Sequence, residues 1–223
     1  MSHAEVAERL VWCPMAIDSG DVVGVLLAGG QSRRMGGGDK SLKCLAGRPI
    51  LEHVLERVRE QVGRLVLNAN GDPERFAQYG LPVAEDVVDG QPGPLAGVLT
   101  GMSWVLENAP EAQWILTVAT DAPFVPTDLV ARLGEVIERE KADLGCASSG
   151  GRHHPVIGLW PVALAGALKS AIETDGIRKV DRWTAGYHLA VVDYPDRPVD
   201  PFFNVNRPDD IKEAEILYKN YFM

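Results

Sequence analysis

Between Leu27 and Lys40 the chain reads L-A-G-G-Q-S-R-R-M-G-G-G-D-K, five glycines and three cations in fourteen positions, directly after the apolar run Val22 to Leu27. Glycine admits positive φ and close backbone approach to a ligand. Successive bare amides cradle phosphate oxygens as a nest. Arg33, Arg34 and Lys40 add charge-assisted hydrogen bonds, bidentate where arginine makes them. The chemistry indicated is phosphate binding, yet neither common loop is present. The lysine follows Asp39 instead of a glycine, and G-x-G-x-x-G is absent. A surface loop of solvated cations is the plain alternative; a position just after a buried strand argues against it.

A second candidate is Asp121, the last residue of the apolar run W-I-L-T-V-A-T-D, followed by the stiffening Pro123 and Pro126. A carboxylate at the end of such a strand sits at the ligand-facing edge of an α/β sheet. There it suits Mg²⁺, a hard cation that takes one or two carboxylates and completes its shell with substrate phosphates. The plain alternative is a loop-capping aspartate. N-A-N-G (68–71) and E-D-V-V-D-G-Q-P-G-P-L-A-G (85–97) also fall after strand-like runs. Taken alone they read as a turn and an acidic loop.

These residues need strands to carry them, and the pattern supplies strands. Apolar runs at 22–28, 64–70, 81–86, 114–121, 143–149, 154–160 and 188–194 alternate with helical periodicity. In P-I-L-E-H-V-L-E-R-V-R-E-Q-V the apolar positions Ile50, Leu51, Val54, Leu55, Val58 and Val62 make one stripe, with Pro49 suited to the first helical position. Helices are also expected over 93–109, from Thr127 or Asp128 as cap into the 140s, over 162–174 and near 208–221. Strands separated by helices imply βαβ units and a mostly parallel sheet with helices on both faces.

The composition is consistent with this. A chain of 223 residues suits one α/β domain with a sizeable core, here residues 21–223, with residues 1–20 as an extension. A net charge of −9 argues against general nucleic-acid or membrane-surface binding, and makes a local knot of cations more informative. Cys13, Cys44 and Cys146 have neither disulfide nor zinc spacing, so a reducing cytoplasm is expected. No run approaches a membrane span, and the first twenty residues lack a secretory pattern.

The L-A-G-G-x-S-x-R-M-G-G-x-D-K stretch resembles the signature of nucleotidyltransferases that build activated sugars and cofactors, and more narrowly that of the molybdenum cofactor guanylyltransferases. Further segments resemble that family in the same order: N-A-N-G, the acidic loop ending in G-P-L-A-G, T-V-A-T-D, a His-Pro segment at 151–160, and F-F-N-V-N-R-P-D-D. Together they span about residues 22–215. The resemblance implies a Rossmann-like three-layer α/β/α sandwich. It assigns Leu27, Ala28, Gly29, Gly30, Lys40, Asn68, Asp86 and Asp121 to nucleotide binding, with Asn68 at the guanine and Pro94 and Leu95 shaping the base pocket. Arg34, Lys40 and Asp121 become the catalytic set, and Asp121 the metal ligand. Arg152 and His154 fall toward the acceptor, and Asn204 and Asn206 near the metal and phosphates. Gly-Gly at 29–30, where cytidylyl and sugar-phosphate relatives usually read Ala-Gly, favours GTP. Arg207 replaces the family's threonine, which puts the capping of the last helix in question.

The implied reaction moves GMP from GTP, with Mg²⁺, onto the terminal phosphate of molybdopterin or its molybdenum-loaded form, releasing pyrophosphate. Cofactor-insertion chaperones or molybdoenzymes are the implied downstream partners. Cytidylyl transfer to the same acceptor, nucleotidyl transfer to a sugar phosphate, and a non-enzymatic GTP sensor or scaffold are the rival readings.

Overall fold

The computed structural model describes residues 17–29, 39–88 and 93–223. Gly30, Arg33, Arg34, Gly36 to Gly38 and Asp89 therefore lie outside the described residues.

The buried run after residue 21 forms β1 (Val22–Leu27). Downstream of the glycine loop comes a small hairpin, β2 (Cys44–Leu45) and β3 (Arg48–Pro49), which leads into helix α1 (Ile50–Val58). The order continues with β4 (Arg64–Asn68), β5 (Val83–Ala84), α2 (Pro94–Asn108), β6 (Trp114–Ala119) and α3 (Leu129–Glu140). It closes with β7 (Leu144–Ser149), β8 (Arg152–Pro161), α4 (Ala165–Glu173), α5 (Val180–Thr184), β9 (Leu189–Tyr194) and α6 (Pro208–Tyr221).

Seven strands form one sheet in the order β5-β4-β1-β6-β8-β7-β9. All neighbours are parallel except β8, which runs antiparallel to both β6 and β7. The two-residue link between β7 and β8 permits this, because only an antiparallel pair can be joined by so short a turn. The mostly parallel sheet expected from the alternation is thus present.

Side-chain alternation along β1 shows why both faces are covered. Val22 and Leu26 enter a core with α1 and α3, whereas Val23 and Val25 enter a second core with α2, α4 and α5. The α1 stripe is buried as its spacing requires, although Pro49 sits just before the first turn. Two glycines let α2 lie close to the sheet. A Cβ at Gly101 would stand 2.5 Å from Val25, and one at Gly97 would stand 2.5 Å from Asn68 Oδ1 and 2.6 Å from Leu27.

A third, smaller core forms where the chain folds back. Leu45 of β2, Ile50, Phe124, Val205 and Ala214 of α6 pack together. His53, buried in α1, lies 2.9 Å through Nε2 from the Leu45 carbonyl and ties the hairpin to the helix. This cluster brings the segment before α6 against the hairpin that follows Lys40. Asp128 occupies the N-cap of α3, without a side-chain bond to the first turn. The β2–β3 hairpin, a 3₁₀ helix at Pro73–Tyr79 and α5 are elements the apolar pattern did not reveal. Each is too short to show a hydrophobic period.

Candidate active site

The site lies beyond the carboxyl ends of β1, β4 and β6, where the strand order turns outward in both directions from β1. A cavity of about 380 Å³ is lined there by Leu27, Ala28, Gly29, Lys40, Asn68, Asp86 and Asp121, joined by Ser41, Asn70, Pro94, Gly97, Thr120 and Val156. Residues far apart in sequence meet in it, as the Lys40–Asp121 pair, 81 positions apart, shows. Arg152 and His154 do not line it.

One wall is ionic. Lys40 Nζ lies 3.4 Å from Asp121 Oδ2 and 2.5 Å from Asn206 Oδ1. Both members of the ion pair keep side-chain exposures of 21%, open enough for a ligand to reach. Burial pushes the Asp121 carboxyl above the usual carboxylate range, and Lys40 only partly pulls it back. The carboxylate is therefore undercompensated by the protein alone. The backbone fixes its place: Val205 N–H donates to the Asp121 carbonyl at 2.9 Å, and Thr120 Oγ donates to the Leu27 carbonyl at 3.1 Å.

Lys40 opens a short 3₁₀ turn whose N-cap is Asp39. The Asp39 carboxylate makes no cap bond; it accepts from Arg75 Nε at 2.6 Å. Arg75 also donates to the Asn70 carbonyl at 2.6 Å and to the Asp72 carbonyl, while its guanidinium stacks 4.7 Å above Phe76. One arginine thus fastens the end of the glycine loop to the turn after β4.

The opposite wall is built on amides. Asn68 Nδ2 donates to Asp86 Oδ1 at 2.9 Å and to the Ala84 carbonyl at 3.2 Å. Asn70 Nδ2 donates to Asp86 Oδ2 at 2.8 Å, and Asn70 Oδ1 accepts from Asp86 N–H at 2.8 Å. The two asparagines orient one carboxylate, each of whose oxygens retains a free lone pair. Gly97 leaves the space that Asn68 occupies.

Asn206 is held from behind. The Asp210 carboxylate accepts from the backbone N–H groups of Asn206 at 2.7 Å and Arg207 at 2.8 Å. A guanidinium carries no acceptor, so Arg207 cannot cap the first turn of α6, and the Asp210 carboxylate instead ties down the two residues that lead into it. Asn204 is exposed, and its backbone carbonyl takes the Asn206 amide at 3.5 Å.

Several contributors lacked a sequence signal. Arg75 acts through Asp39, far away in sequence, and Asp210 stood in the F-F-N-V-N-R-P-D-D segment without an assigned task. Ser41 is buried, and its hydroxyl has no hydrogen-bond partner among the described residues. Asn70 stood within the singled-out N-A-N-G, but only its contact with Asp86 reveals its task.

A mostly parallel sheet with a lysine–aspartate pair on one side of the cleft and amides with a second carboxylate on the other is the arrangement of an α/β nucleotidyltransferase. Residues 24–190 match the MobA-like NTP transferase domain, and the chain belongs to that family. The molybdenum cofactor guanylyltransferase of Rhodopseudomonas palustris (strain BisB5) is 53% identical over 91% of this chain and 96% of its own length. The crystal structure of molybdopterin-guanine dinucleotide biosynthesis protein A from Archaeoglobus fulgidus has the same fold, with a TM-score of 0.71 at 24% identity, covering 89% of this chain and 99% of that one. A Mycobacterium tuberculosis H37Rv protein solved in complex with manganese aligns with a TM-score of 0.62 at 17% identity, over 87% of this chain and 98% of its own.

Proposed function

We propose that this nucleotidyltransferase transfers GMP from GTP to the terminal phosphate of molybdopterin, or of its molybdenum-loaded form, and releases pyrophosphate. The observation that carries the reading is the cleft that Lys40 and Asp121 line together with Asn68, Asn70 and Asp86, with Asn206 bonded to Lys40. Relatives over nearly the whole chain carry that activity in their names.

The base wall suits guanine. Its Watson–Crick edge presents two adjacent donors, N1–H and the N2 amino group, which a fixed carboxylate can accept together. Cytosine presents one donor beside acceptors, and an oriented Asp86 would repel those acceptors. The close Gly29–Gly30 pair supports the same preference.

The ionic wall suits Mg²⁺ with phosphates. Among the described residues, no group of three or more His, Cys, Asp or Glu could hold a metal with protein ligands alone. Asp121 with the Asn206 side-chain oxygen offers a hard, oxygen-only set that substrate phosphates would complete. Relief of the undercompensated Asp121 charge favours a cation there. When bound, Mg²⁺ neutralises charge on the phosphates. Lys40 would release Asp121 and donate to phosphate oxygens, with Arg34 completing the positive side. The Gly29 amide would help hold the phosphate chain, while the Ala28 N–H is spent on the Asn68 carbonyl at 2.9 Å. Asp39, held by Arg75, keeps the loop's end in place.

The nucleophile needs no strong base. A phosphate monoester has a second pKa of about 6 and is mostly dianionic near neutrality. Catalysis is then alignment of two anions with suppression of their repulsion. A reducing cytoplasm as the working compartment rests on Cys44 and Cys146 being free thiols. Incubation with GTP, Mg²⁺ and molybdopterin, followed by mass analysis of the pterin, tests the whole reading. A product heavier by GMP is expected. A CMP adduct from CTP in its place would move the chain to the cytidylyl reaction, and release of no pyrophosphate with any acceptor would leave a GTP-binding sensor.

A further inference from the structure

His154 lies off the cavity, and its contacts lead elsewhere. His154 Nε2 is 2.8 Å from Ser149 Oγ, and the same hydroxyl is 2.8 Å from Asp200 Oδ1. A carboxylate only accepts, so the one hydroxyl proton of Ser149 goes to Asp200. The serine oxygen then offers His154 only lone pairs, which makes the imidazole an Nε2–H donor. Asp200 Oδ1 takes a second bond, from Phe202 N–H at 2.9 Å. The imidazole also packs 4.6 Å from the Phe202 ring, which meets Tyr194 edge-on at 5.4 Å. Ser149 and Phe202 are each 2% exposed, so no substrate reaches these links.

Residues 200–202 begin the strap that delivers the ionic wall. Three positions after Phe202, Val205 N–H donates to the Asp121 carbonyl at 2.9 Å. The next residue, Asn206, accepts from Lys40 Nζ at 2.5 Å. The hairpin of β7 and β8 is thereby connected to the Lys40–Asp121 pair through one serine, one carboxylate and one backbone strap.

We propose that His154 is a positioning residue, which acts through Ser149 and Asp200 to hold residues 200–206 so that Asn206 meets Lys40 beside Asp121. The kinetic part of this inference rests on the guanylyl-transfer reading; the structural part does not. Neutral and protonated imidazole both donate through Nε2, so the bond to Ser149 is kept in either state.

Two measurements on the full chain decide it. In the free protein, amide hydrogen exchange is followed at Phe202 and Val205 for wild type, His154→Leu, His154→Gln, Ser149→Ala and the His154→Leu/Ser149→Ala pair. The loss of one buried bond corresponds to exchange faster by about tenfold. That acceleration is expected in His154→Leu and in Ser149→Ala. No further acceleration is expected in the double variant, because both break one chain of bonds. His154→Gln keeps an amide donor at similar reach and should return to within about twofold of wild type. In transfer assays, kcat should fall in His154→Leu and Ser149→Ala alike with the acceptor KM unchanged. Unaltered exchange in both single variants overturns the proposal, as does additivity in the pair. A raised acceptor KM in His154→Leu alone also overturns it and makes His154 an acceptor ligand. If leucine at 154 unfolds the chain, Ser149→Ala reads the same coupling. A wild-type protein without transfer activity defeats the functional reading, while the exchange measurement still decides this one.

Discussion

Asp121 carries opposing demands. Burial raises its pKa, so its charged form costs stability, yet that form is what a cation requires. A carboxyl whose folded pKa lies above its unfolded value favours folding at low pH. That contribution is lost as pH rises through the folded value. Asp121→Asn removes the charge and keeps the shape. Transfer should then fall by at least about a thousandfold, while Tm of the free protein at neutral pH stays level or rises by about 2–4 °C, as for 1 kcal/mol in a chain this size. Differential scanning calorimetry beside product assays checks both; a large fall in Tm would mean that Asp121 is structural. Lys40→Ala leaves Asp121 without its cation and should lower kcat/KM for GTP by about a hundredfold or more. Asp86→Ala is a different kind of change, since the phosphate side stays intact. Its expected effect is lost discrimination of GTP against ATP and CTP, read from a nucleoside triphosphate panel, with less effect on turnover at saturation.

At the level of elements, the cap of α6 and the placement of Asn206 are one device. Asp210 accepts from both Asn206 and Arg207 backbone N–H groups, so helix start and active-site strap share a carboxylate. Asp210→Ala should cost about 1 kcal/mol of stability, typical of a lost cap, and lower kcat because Asn206 loses its backbone anchor. Urea titration and steady-state kinetics separate the two effects; a stability loss with normal kcat would show that the strap holds without the cap. Gly97 links another pair of elements. A methyl group there would strike Asn68 and Leu27, so α2 must retreat from β1 and β4 at the base wall.

For the molecule as a whole, the walls belong to elements far apart in the chain, and a nucleotide that touches both should tie them together. GTP with Mg²⁺ at about a hundred times Kd is expected to stabilise the native state by about 2.7 kcal/mol, a rise in Tm of roughly 5–10 °C. Thermal shift with and without Mg²⁺ measures it, and Asp121→Ala should lose the Mg²⁺-dependent part. Removal of residues 1–14 should leave transfer unchanged, because Ile17, the first described residue, still packs on Gly134 and donates to Glu138 at 2.7 Å. Among the described residues no helix is long and apolar enough to cross a membrane.

The strand-and-helix alternation was legible because hydrophobic period is local: β1, β4, β6 and the α1 stripe each announce their burial within ten residues or so. Asp121 was legible for a related reason, since a carboxylate two residues past the end of an apolar strand has few other places to be in an α/β sheet. The resemblance supplied Asn68, Asp86 and Asn206 as positions, without their partners. Only the folded chain decided that Arg75 clamps Asp39, that Asp210 anchors the backbone of Asn206 and Arg207, that Asn70 shares the Asp86 carboxylate and that His154 turns toward Ser149. Those contacts join residues that no periodicity relates, because a hydrogen bond depends on where two particular groups come to rest and leaves no repeating trace in the sequence.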